Sequence, residues 1–123
     1  MVDLEIERAQ KIFSQIPSLY ELCYWDNIAN RIYYSVFHAV SALLICNGYP
    51  VGTHKGAVIM FGLHFVKTGI FSSEDGKLYS QLQSMREQSD YNLSYDVDQR
   101  DIDELLQPAE TLLHKIISYI NDR

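Results

Sequence analysis

Two short runs carry most of the chemistry. The first is Asn30-Arg31-Ile32-Tyr33-Tyr34-Ser35-Val36-Phe37-His38-Ala39, whose Arg31, Tyr34 and His38 follow Asn27 at spacings of three and four. On a helix that spacing places them on one face. Arginine can hold a phosphate or carboxylate with two parallel donors, and imidazole can move a proton near neutral pH. The second run is Arg86 to Tyr91, where Arg86 and Asp90 are one helical turn apart. His54-Lys55 forms a third polar point behind Thr53. Arg31, His38 and Arg86 are the candidate catalytic residues, and Tyr34, His54, Lys55, Asp90 and Tyr91 are candidate ligand contacts.

Each has a plainer reading. His38 can be an interhelical histidine satisfied by hydrogen bonding, because a buried polar group left without a partner costs about 1–3 kcal/mol. His54 can simply decorate a helix start. Arg86 with Asp90 can be a surface ion pair of little energetic weight, and Tyr91 a helix-end anchor. No metal site is expected, since no His or Cys pair has ligand spacing. No cofactor motif is present either.

These residues need helices to hold them, and the hydrophobic pattern supplies five. Ile6, Ala9, Phe13 and Ile16 mark the first, interrupted by Pro17, with Ser18 and Glu21 resembling a capping box at a restart. The second begins at the N-cap formers Asp26-Asn27 and runs to Asn47-Gly48, with Pro50 barring continuation. Thr53 caps a third that ends at Gly69. Ser72 with Asp75 caps a fourth, carrying Leu78, Leu82 and Met85. After a turn at Tyr91–Tyr95, Asp96 or Asp98 opens the last, whose stripe is Ile102, Leu105, Leu106, Ala109, Leu112, Leu113, Ile116 and Ile120, with Pro108 inside it. Nothing alternates as a strand would. The expected fold is all-α, an up-down antiparallel five-helix bundle forming one domain over residues 1–123, with the Tyr, His and Arg ridge of the second helix turned inward.

Composition narrows the function classes. A chain of 123 residues with 47% hydrophobic content can bury one core. Nine of its fifteen aromatics are tyrosine, whose hydroxyls demand partners or water. The net charge of −6 and the scattering of ten basic residues along the sequence argue against broad coating of nucleic acid. They leave room for a small pocket with one or two arginines. Cys23 and Cys46 read as reduced thiols. No leader or bilayer-spanning run is expected, and the location predicted is cytoplasmic.

The first run resembles the R-x-YYA-x-FHA signature of a bacterial and archaeal branch of the HEPN family. Leu43-Leu44 with Gly48, then Thr53-His54-Lys55-Gly56 with Phe61, Phe65-Val66-Lys67 and Gly69, then Arg86-Glu87-Gln88-Ser89-Asp90-Tyr91, resemble further pieces of that branch in the same order. The likeness covers about residues 4–120. It implies a five-helix HEPN fold, a homodimer, and pairing with a minimal nucleotidyltransferase in a toxin–antitoxin-like system. An RNA or nucleotide ligand goes with that reading. Active members resemble one another in cutting RNA without a metal through an R-x4-6-H motif. This chain departs from that motif, because Tyr91 stands five residues after Arg86 where histidine is expected, and a tyrosine of ordinary pKa near ~10 is a poor base at neutral pH. Arg31 and His38 fit the pattern in form, but on the second helix. The primary expectation is therefore a binding module, and the alternative a metal-independent endoribonuclease.

Overall fold

The computed structural model describes residues 1–122. Among them there is no strand, and the expected rods are present as α1 (Val2–Phe13), α2 (Ile16–Glu21), α3 (Trp25–Cys46), α4 (His54–Phe61), α5 (Ser73–Tyr91) and α6 (Gln99–Asn121). The first rod is the one divided in two. Ser14 and Gln15 keep near-helical backbone angles, so the chain turns a corner rather than breaking, and Pro17 occupies the first turn of α2. There its missing N–H costs nothing. Ser18 consequently lies inside α2, and the Ser18–Glu21 capping box is not formed.

α3 is the central helix, packed against α1, α2, α4, α5 and α6. It starts one residue before the expected cap: Tyr24 takes the N-cap position without a side-chain bond, leaving Asp26 in the first turn, where its charge suits the helix dipole. Its end follows glycine chemistry. Gly48 adopts φ +80°, and the amides of Gly48 and Tyr49 bond back to Ile45 and Leu44. By length and composition α3 could cross a bilayer, but 67% of its most apolar stretch is buried inside the bundle, as befits a core helix.

The remaining boundaries follow their signals. Thr53 accepts the Gly56 amide at 2.9 Å. α4 runs into a π-helical turn at Gly62–Val66, and Gly69 at φ +85° ends the rod. Reciprocal capping boxes open α5 (Ser72 with Asp75) and α6 (Asp98 with Asp101), so Asp98 rather than Asp96 is the cap. Every apolar residue expected on α6 is buried except Leu106, which is half-buried; Pro108 faces solvent.

α1 and α3 approach closely through small residues. Ala9, Ser35 and Ala39 are fully buried, and the Ser35 hydroxyl donates to the Ala9 carbonyl at 2.8 Å. Two polar rungs flank that contact. At one end His38 meets Glu5, and at the other Arg31 reaches Gln15. The order of these pairs makes the two helices antiparallel.

Candidate functional site

The site grows outward from α3. Its buried stripe commits Ile32, Val36 and Val40 to the core, which turns Arg31, Tyr34 and His38 toward the margin where α1, α4 and α5 meet it. Tyr34 is the hub. Its ring centroid lies 5.5 Å from that of His54 and 6.5 Å from that of His38. The guanidinium carbons of Arg31 and Arg86 each stand 6.0 Å from the same ring. Two cations and two imidazoles from three helices thus surround one phenol.

His54 enters from the first turn of α4. The Tyr33 hydroxyl and His54 Nδ1 are 2.9 Å apart, and the Phe37 ring packs against the imidazole at 4.4 Å. Burial lowers the His54 pKa, and the charges of Arg86 and His38 push the same way. Burial raises that of Tyr33, with Arg86 opposing. A neutral imidazole therefore accepts the phenol proton on Nδ1, leaving its N–H at Nε2.

Arg86 comes from α5. Its guanidinium lies 5.2 Å from the Tyr33 centroid, a cation–π distance. It donates to Asp90 at 3.1 Å, while its Nε is buried with no partner among the described residues. The Arg86 side chain is only 11% exposed and that of Asp90 43%, so the pair ties an inward-facing guanidinium to a carboxylate at the surface.

His38 is held from α1. Because a carboxylate can only accept, His38 donates from Nδ1 to Glu5 Oε2, at 2.7 Å. Arg31 is oriented by Asn30, which accepts from both its Nε and one terminal nitrogen, at 3.1 and 2.6 Å.

The expected residues therefore divide. Arg31, Tyr34, His38, His54 and Arg86 come together, with Asp90 at the rim as the anchor of Arg86. Lys55 and Tyr91 do not join them. Lys55 is exposed on the outer side of α4, and Tyr91 is 81% exposed at the end of α5. Helical geometry explains both, since one residue rotates a side chain by about 100° and five by about 140° from the starting face. Sequence reasoning missed Tyr33, Phe37 and the whole contribution of α1. The polar series Glu5, Arg8 and Gln15, set beside the stripe of Ala9, Ile12 and Ile16, was the available signal. Among the described residues no group of three metal-ligating side chains is assembled.

The arrangement can bind an anion between guanidinium groups and stack a planar ring on Tyr34. Comparison with known proteins fits this set of helices and residues into a family. A family model described as "HEPN domain" matches residues 2–119. The chain is similar to a UPF0332 protein of Thermotoga maritima, at 36% identity over 76% of this chain and 70% of the relative. It is also similar to two proteins of Methanocaldococcus jannaschii. One, named "Putative toxin MJ0142", is 29% identical over 94% of this chain and 78% of its own length. The other, "Putative toxin MJ0605", is 27% identical over 90% and 82%. With the matched model spanning nearly its full length, the chain belongs to the HEPN domain family.

Proposed function

We propose that this protein is the toxin-side component of a cytoplasmic two-protein system. In this reading it is a homodimeric HEPN module that pairs with a minimal nucleotidyltransferase and takes an RNA or nucleotide at the Tyr34 pocket. One observation carries the ligand part: Arg31, Arg86, His38 and His54 converge on one half-buried tyrosine ring. Cations beside an aromatic face suit a ligand that is both anionic and planar. Family membership and the names of the two archaeal relatives support the toxin part.

Binding is favoured over catalysis by how the groups are engaged. His38 Nδ1 is tied to Glu5, His54 Nδ1 accepts from Tyr33, and Arg86 is tied to Asp90. The residue five positions after Arg86 is Tyr91, exposed and away from the cluster. A second reading, metal-independent RNA cleavage, is favoured by a specific arrangement: Arg86 and His54 both stand against the rings of Tyr33 and Tyr34. That combination supplies a phosphate holder and a proton carrier from different helices.

The test is expression of the chain alone, followed by light scattering, RNA binding and RNA integrity assays, and then coexpression with a nucleotidyltransferase encoded beside it. The binding reading expects a dimer that retains RNA or nucleotide without cleaving it and copurifies with that partner. Cleavage abolished by Arg86→Ala and His54→Ala would replace it with the nuclease reading. A monomer that binds neither ligand nor partner would overturn both.

A further inference from the structure

Beside the Tyr34 hub a cleft of about 460 Å³ opens between α1 and α3. Arg8 and Lys11 project into it from α1, Arg31 and His38 from α3, and Ile12 and Tyr34 lie between them. No carboxylate lines it. This is notable in a chain of net charge −6: cations distant in sequence are gathered into one cleft by the antiparallel packing of two helices.

The charges there are unspent. Arg8 and Lys11 form no ion pair among the described residues. Among the described residues Arg31 hydrogen-bonds only the neutral amides of Asn30 and Gln15 and forms no ion pair. The nearby carboxylate, Glu5, is taken by His38. Three cations lining one space favour an anion there, since each can meet it with a charge-assisted bond. The packing of Ala9 and Ser35 fixes the spacing of the two helices, so the cleft is preformed.

We infer that this cleft is a phosphate-binding subsite in which Arg8, Lys11 and Arg31 hold a terminal phosphate monoester, the 5′-phosphate of a nucleotide or of an RNA chain. A terminal phosphate carries about −1.5 to −2 charge at neutral pH, against −1 for an internal diester, and so matches three cations better. Tyr34, half-buried at the cleft's inner side, then meets the attached base. The inference rests on the proposed ligand-binding reading in sharing Arg31, Tyr34 and His38; Arg8 and Lys11 belong to no motif used there.

The experiment titrates the full chain, by calorimetry at two salt concentrations, with three probes: adenosine 5′-monophosphate, a short RNA bearing a 5′-phosphate, and the same RNA with a 5′-hydroxyl. The phosphorylated RNA should bind at least about tenfold more tightly than the hydroxyl-ended one, as befits the loss of a charged hydrogen-bonding group. Arg8→Gln and Lys11→Gln should each erase most of that preference and flatten the salt dependence. Both residues are exposed on α1, so circular dichroism should show these variants folded. Binding of the monophosphate alone identifies a free nucleotide as the source, and binding of the phosphorylated RNA alone an RNA end; either supports the subsite. Equal affinity for both RNA ends, or full binding by the two variants, overturns the subsite while leaving RNA binding at Tyr34 standing. Silence from all three probes overturns both.

Discussion

Glu5 and His38, 33 positions apart in sequence, stand 2.7 Å apart across the α1–α3 interface, each about four-fifths buried. The pair clamps the two helices at one end of the cationic cleft and fixes which imidazole nitrogen faces outward. Glu5→Gln keeps the shape and removes the charge. It is expected to cost about 1 kcal/mol, a few degrees of melting temperature. A double-mutant cycle with His38→Gln checks that the loss belongs to the pair: once either partner has been replaced, replacing the other should cost little.

The Tyr33–His54 bond predicts a pH dependence with a definite sign. The folded-state pKa of His54 lies below its ordinary value because of burial and the neighbouring Arg86 and His38 charges. The unfolded chain therefore binds the proton more readily. The stability contributed by neutral His54 is complete above the ordinary histidine pKa of about 6.5 and declines as pH falls through it toward the folded value. Urea denaturation at pH 7.5 and 5.5 should show this decline, and His54→Gln should diminish it.

Tyr33→Phe removes the donor to His54 Nδ1 while keeping the ring that Arg86 covers. The expected cost is about 1–2 kcal/mol, because the imidazole keeps a poorly solvated acceptor. His54 should also titrate at a different pH in this variant, which a proton NMR titration of the imidazole reads directly.

At the start of α5, burial alone would raise the Asp75 pKa, but bonds donated to its carboxylate by Lys115 and by the Ser72 amide outweigh burial and hold it below the ordinary value. Asp75→Ala is expected to destabilise by about 1–2 kcal/mol through the lost cap and the lost link to α6. Because the folded pKa is depressed, this contribution is present above about pH 4 and fades as pH falls further. Acid unfolding of the wild type and the variant should therefore converge at low pH.

Tyr91 serves as the contrast. At 81% exposure its replacement by Ala should leave stability within about 0.5 kcal/mol of wild type. Arg86→Lys should not be silent, since a lysine cannot reproduce a flat cation over Tyr33 and a bond to Asp90 together. Thermal denaturation of the two variants side by side separates the residue that builds the cluster from the one that only neighbours it in sequence.

Local signals were readable wherever the chemistry is local. Gly48, Thr53, Ser72 with Asp75, and the stripe of α6 act within a turn or two, and each behaves as its sequence predicts. Ser18 misled because Pro17 is better used in a first turn than before a cap, and Asp26 because α3 begins on the aromatic packing of Trp25 against Tyr20. For the site, α3's periodicity correctly joined Arg31, Tyr34 and His38. What a neighbouring helix adds depends on rotation and register between rods, which no spacing within one rod encodes. Glu5, Arg8 and Lys11 were therefore invisible as partners of residues 31–38, while Tyr91 was assigned by motif against its own helical angle.

The placement of Arg31, Tyr34 and His38 on the helix that touches all five others has a consequence for motion. Amides in α3 should exchange with solvent only through whole-molecule opening, since freeing that helix means undoing every interface at once. In the proposed binding reading, shape adjustment would then fall to exposed side chains such as Arg8 and Lys11, not to the rod that displays Tyr34. A rigid floor of this kind would reward ligands that already fit, and would make slow release, rather than fast capture, the natural source of affinity.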